Sequence, residues 1–188
     1  MLRGATVTLR DLRSRDAASL CAMLATEEVA RFIPPTPQTV GGFESFVKWA
    51  AHGREAGEYA YFAVVPRGLE SAIGVFQVRR LALTFDTSEW GFAIGSPFWG
   101  SGVFLESARL MIDFAFTCLG VHRLEARSCV GNGRGNGALR KVGATREVTL
   151  RGAFRRDGLC HDQSLWSILA EDWLSTQNAP HVSRRVPS

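Results

Sequence analysis

Residues whose spacing could do chemistry are densest where a glycine turn opens a helix. Gly100-Ser101-Gly102 follows a break at Gly95-Ser96-Pro97, and beyond Val103 the apolar residues Phe104, Ala108, Met111, Ile112, Ala115 and Leu119 recur at the spacing of one helix face. The first N–H groups of a helix have no intrahelical partner and sit at the positive end of its dipole. A glycine turn at that point suits a phosphate or diphosphate. It equally suits a tight strand-to-helix connection with no ligand. Two phosphate motifs are excluded: no Gly-Lys-Ser/Thr follows the turn, and Leu105 stands at the third glycine position of G-x-G-x-x-G. No segment pairs a serine nucleophile with a histidine, and no His/Cys cluster has metal-ligand spacing.

Such a turn needs a strand before it and another beyond its helix. Residues 89–94 read as a sheet-core strand and 123–130 as the next. A strand–helix–strand crossover is parallel and right-handed in nearly all known cases. That sets the turn at the carboxyl end of the first strand, where open α/β sheets bind ligands. Upstream, residues 6–10 alternate as a short strand, Ser14 caps a first helix through Leu24, and 27–32 continue it. Pro34, Pro35 and Pro37 break the chain before a second helix over 39–51, ended by Gly53 and Gly57. Residues 59–65, 71–81 and 86–94 form a meander whose short connections make it antiparallel. After the crossover, 131–144 read as a loop into a short helix, because 138–142 alone is too short to stand. Residues 145–154 and 160–169 form a hairpin around Arg155-Arg156-Asp157-Gly158. Residues 1–174 make one mixed α/β domain, and polar residues 175–188 a flexible tail.

A chain of 188 residues, 46% hydrophobic and 21% charged, has enough apolar surface for one core. The net charge of +4 is mild, and no basic run forms a nucleic-acid arm, so no nucleic-acid partner is expected. Cys21, Cys118, Cys129 and Cys160 form no C-x-x-C pair and read as buried free thiols of a reducing compartment. No stretch approaches the roughly 20 apolar residues of a membrane span, and the N-terminus lacks a signal-peptide pattern. A cytoplasmic protein without membrane attachment is expected.

Three segments, EWGFAIGSPFWGSGVFLESA (89–108), FTCLGVHRLEARS (116–128) and NGRGNGALRKVGAT (132–145), occur in order at the right spacing. With the order of elements they resemble the GNAT superfamily of N-acetyltransferases, nearest its ribosomal-protein alanine acetyltransferase-like branch. The resemblance implies a central, mostly antiparallel mixed sheet with one parallel βαβ crossover, two splayed strands and helices on both faces. It also implies direct acetyl transfer from acetyl-CoA to a primary amine, either a protein N-terminus or a small molecule. Backbone groups of Trp99, Gly100, Ser101, Gly102, Val103 and Phe104 would hold the diphosphate. Phe92, Ala93 and Ile94 would diverge from the next strand, bind the pantetheine amides as a substitute strand and polarise the thioester carbonyl. Asn132, also suited to a helix cap, would bond the pantetheine arm, and Asn136 and Arg140 would face the same cofactor.

Glu89 lies an even number of residues from Ala93, so both face one side of the sheet. The resemblance implies that it is the base; a salt bridge to a neighbouring Arg is the alternative. His161 and Asp162 are the second choice. The chain departs from the family pattern at Pro97, Ser101 and Gly135 and has no Tyr after Asn132. Gly135 stands where the branch carries a serine proposed to protonate the leaving thiolate. The departures keep a non-catalytic acyl-CoA sensor of the same fold as the alternative. An acceptor cleft is expected between the early helices, with Glu27, Glu28, Arg31 and Phe32, and the last hairpin, with Arg151, Arg155 and Arg156. A homodimer is left open.

Overall fold

A computed structural model describes residues 1–178. Its strands are β1 (Leu2–Arg3), β2 (Val7–Arg10), β3 (Tyr59–Pro66), β4 (Gly74–Arg80), β5 (Thr87–Ile94), β6 (Arg123–Cys129), β7 (Thr145–Arg156) and β8 (Leu159–Leu169). They form one sheet in the order β1-β2-β3-β4-β5-β6-β8-β7. Every neighbouring pair is antiparallel except β5 and β6. The helices are α1 (Ala17–Leu24), α2 (Glu27–Ala30), α3 (Val40–Glu55), α4 (Val103–Cys118), α5 (Gly133–Lys141) and α6 (Ala170–Asn178). This is the mixed α/β architecture expected, with α4 as the crossover.

Side-chain alternation along the strands divides the core in two. Phe62, Val64, Phe76, Val78, Trp90 and Leu124 face α4, where Ala108, Met111, Ile112 and Ala115 are fully buried. Leu139 of α5 and Trp173 of α6 complete that layer. The alternate residues Ala63, Val65, Val75 and Ala93 face Leu20 and Leu24 of α1 and Phe43 of α3. Arg10 joins the sheet to this second layer through a bidentate bond to Asp16, at 2.7 Å on each side. Burial opposes ionisation of Asp16, but the Arg10 guanidinium, the Arg13 amide and the charge of Arg15 together outweigh it and hold the carboxyl below its usual range.

Several boundaries differ from the sequence reading for local reasons. Asp16, rather than Ser14, closes the first helical turn, accepting the Arg13 amide at 2.8 Å. Thr39 caps α3 by accepting from the Gly42 amide at 3.1 Å, and the helix runs through Gly53 to Glu55. Helix α2 stands apart from α1. The hairpin turn tightens to Asp157-Gly158, with φ of 49° and 80°. Helix α6 extends through Asn178, so residues 175–178 are helical rather than part of a tail; residues 179–188 of that expected tail lie outside the described residues. All four cysteines are free, but only Cys129 is buried, and Cys118 and Cys160 are exposed. Among the described residues, no helix is long and apolar enough to cross a membrane, and no group of His, Cys, Asp and Glu could hold a metal ion.

Candidate functional site

Strands β5 and β6 touch only at their start. Thr87 pairs with Arg123, Ser88 with Leu124 and Glu89 with Glu125, and there the ladder ends. Each strand stays paired on its outer side, β5 with β4 through Ile94 and β6 with β8 through Cys129. The backbone of Trp90–Ala93 and Ala126–Ser128 that faces the gap is therefore left without a strand partner. A cleft of about 400 Å³ opens there, lined by Glu89, Gly91, Phe92, Ala93, Ala126, Arg127, Ser128, Asn132 and Gly135. Phe32, the Pro34–Pro37 loop, Phe46, Tyr61 and Phe154 extend its wall on the α3 side.

At the end of β5 the chain makes a 3-10 turn over Ser96–Phe98 and enters α4 through two left-handed glycines, Gly100 (φ 79°) and Gly102 (φ 87°). The amides of Gly102, Phe104 and Leu105 donate no hydrogen bond among the described residues. Phe104 is seated on Phe92, ring centroids 4.5 Å apart, which ties the helix start to β5. Trp99 Nε1 donates to the Ile94 carbonyl at 2.8 Å, so that carbonyl closes the turn and is withdrawn from the gap. Arg134, in the first turn of α5, stacks over the Trp99 ring at 4.0 Å. It brings to the turn the positive charge that Ser101 does not. The sequence reading missed Arg134 because it started the helix at Ala138.

Helix α5 starts at Gly133 because Asn132 caps it, its Oδ1 accepting from the Gly135 amide at 2.8 Å. The cap expected of Asn132 is formed by Oδ1, while Nδ2 has no partner among the described residues and the residue lines the cleft. Asn136 is committed elsewhere. Its Nδ2 donates to the carbonyls of Cys129 and Asn132, at 2.9 and 2.8 Å, and its Oδ1 accepts from Trp166 Nε1 at 2.9 Å. Arg140 is exposed and lies outside the cleft wall. Neither residue faces the gap.

Glu89 lines the cleft on the face shared with Gly91 and Ala93. Its Oε2 accepts from Arg79 Nη2 at 2.9 Å and lies 4.0 Å from Arg127 Nε. Its Oε1 takes no hydrogen bond among the described residues. On the adjoining cross-strand pair, Gln77 turns an unpartnered, buried Oε1 into the same wall. Burial pushes the Tyr61 phenol up, and the neighbouring Tyr59 adds to it. His161 and Asp162 line a separate recess on the hairpin, where Asp162 accepts from the Gly152 amide at 2.8 Å. Glu27 and Glu28 are exposed and do not line the cleft, whereas Phe32 does. Arg156 donates to the Ala30 and Ile33 carbonyls, so it anchors the segment before the proline loop instead of facing an acceptor.

Residues 6–145 match the family described as Acetyltransferase (GNAT) domain. The chain belongs to the GNAT family of acetyltransferases. Its GNAT relatives include the uncharacterized N-acetyltransferase p20 of Bacillus licheniformis, 24% identical over 89% of this chain and 94% of that protein. Among solved structures it is similar to Mycobacterium smegmatis RimJ in complex with CoA-disulfide, with a TM-score of 0.80 and 23% identity over 88% of this chain and 83% of that one. It is also similar to the ribosomal-protein-S5-alanine acetyltransferase of Vibrio fischeri, with a TM-score of 0.79 and 20% identity over 91% and 97% of the two chains. These likenesses identify the fold.

Proposed function

We propose that this GNAT acetyltransferase transfers an acetyl group from acetyl-CoA directly to a primary amine. The observation that carries this reading is the parting of β5 from β6 beyond Glu89, opening beside the free amides at the start of α4. A phosphate-seeking helix end and a strip of unpaired strand backbone side by side fit a ligand with a diphosphate at one end and amides along its arm. On this reading Gly102, Phe104 and Leu105 hold the diphosphate with Arg134 beside them, and Phe92, Ala93 and Asn132 Nδ2 hold the arm. An acyl-CoA supplies a thioester, already activated toward an amine.

The chain supplies the rest. Glu89 Oε1 and Gln77 Oε1 are two acceptors on one wall, matched to the N–H groups of an amine, and Glu89 is the proton acceptor. Arg79 holds Glu89 Oε2, which fixes the carboxylate while leaving Oε1 free. The aromatic and proline wall excludes water. The test is release of free thiol from acetyl-CoA against N-terminal peptides, polyamines and aminoglycosides. Acceptor-dependent release is expected. Binding of acetyl-CoA with no release for any acceptor would make the protein an acyl-CoA sensor instead.

A further inference from the structure

The hydroxyl of Ser128 is buried and unpartnered among the described residues. It stands on β6 beyond Glu125, where the strand has left β5, and it lines the cleft. The residue is 6% exposed, yet its Oγ has no hydrogen-bond partner among the described residues. A stranded buried hydroxyl costs about 1–3 kcal/mol, so folded proteins keep few of them. Its surroundings explain why it stays free. A Cβ at position 135 would lie 2.9 Å from Ser128 Oγ and 2.5 Å from Asn132 Nδ2, so only glycine leaves this corner open. Gly135 has given up the side chain expected at that position, and Ser128 brings a hydroxyl to the same corner from the strand below.

We propose that Ser128 is the hydrogen-bond donor to the thiolate that leaves during acetyl transfer; this rests on the acetyl-transfer reading above. In that step the amine nitrogen bonds to the acetyl carbon. The C–S bond breaks with its electron pair going to sulfur, and the amine's proton passes to Glu89 and then to water. An alcohol is a far weaker acid than a thiol, so Ser128 keeps its proton and steadies the sulfur anion by donating to it. The thiolate is protonated by solvent on release. Tyr61, another hydroxyl in the cleft wall, projects with Glu89 from the opposite face of the sheet, and Thr36 belongs to the proline loop. Ser128 shares its face with Leu124 and Ala126, toward α4.

Ser128→Ala and Ser128→Thr in the full-length protein test this by two readouts, with melting temperature as a check on folding. The first needs no turnover: the thiol of CoA bound without acceptor is titrated by its ultraviolet thiolate absorbance. A donor at sulfur favours the anion, so S128A should lower the ionisation constant of the bound thiol about tenfold, and S128T should restore it. The second is steady-state kinetics: S128A should lower kcat about 10- to 100-fold, with KM for acetyl-CoA nearly unchanged. Unchanged thiol ionisation in S128A would overturn the proposal, as would a loss of CoA affinity with kcat intact, the mark of a packing role. If the wild type released no thiol with any acceptor, the transfer reading would fall, and thiol ionisation would still decide whether Ser128 touches sulfur.

Discussion

Gly102 offers the sharpest test of the diphosphate grip. It caps α4 at φ 87° and ψ −17°, and a Cβ there would meet no atom within 4 Å. The cost of a side chain is therefore conformational rather than a clash, about 1–2 kcal/mol for an L-residue held in the left-handed region. Free protein can relieve that cost by turning the residue to negative φ, which swings the Phe104 and Leu105 amides off their common target. Binding must then restore the strained turn, so the dissociation constant of CoA should rise about 5- to 30-fold in Gly102→Ala. Gly102→Val adds bulk at the mouth of the turn and should abolish measurable binding. Titration calorimetry with CoA, and with pantetheine as the ligand lacking a diphosphate, separates the two ends of the site. Helix content should stay near wild type, since the Glu106 amide still bonds the carbonyl of residue 102. Unchanged CoA affinity in G102V would refute the assignment, and so would a loss for pantetheine as large as that for CoA.

Glu89→Gln should lower kcat by about 10²- to 10⁴-fold with CoA affinity unchanged; a pH–rate profile identical to wild type would remove Glu89 from the base role. Asn136→Ala strands Trp166 Nε1, while the Cys129 and Asn132 carbonyls keep the backbone amides of residues 132 and 136, and should cost about 1–3 kcal/mol; a urea midpoint equal to wild type would show that its bonds hold nothing together. Glu147 sits under a bidentate Arg123 bond, at 2.8 and 2.7 Å, and also accepts from Ser167. Those contacts lower its carboxyl from 4.5 to about 2. A depressed carboxylate stabilises the fold above its unfolded pKa, and that stability drains away as pH falls toward the folded value. The wild type should therefore lose stability between about pH 4.5 and 2 more steeply than Glu147→Gln; parallel curves would contradict the pairing.

The fold was legible because its signals are local and redundant. Alternation marked β2 and β8, a mix of aromatic and aliphatic residues marked β5, the Asp-Gly pair marked the hairpin, and the α4 stripe was long enough to exceed its glycine start. Helix α5 was misjudged because glycine propensity was weighed without Asn132, Asn136 and Trp166, whose bonds offset it and span 30 residues of chain. The same reading hid Arg134. Glu89 could be placed on its face by counting, yet its bond to Arg79 needed the β4–β5 register. Ser128 carried no signal: nothing in its neighbours says that its hydroxyl would be left without a hydrogen-bond partner beside position 135. Arg156, expected on the hairpin's wall, instead reaches across to carbonyls far away in sequence.

The two faces of the sheet have unequal foundations. The elements that would grip the donor are rooted in the larger apolar layer around α4, while the wall that would meet the acceptor rests on the small one around α1 and α3. Substitutions in α1, α2, α3 and the proline loop can therefore reshape one entrance while the other keeps its frame. Descendants of such a chain can change what they modify far more readily than what they modify it with.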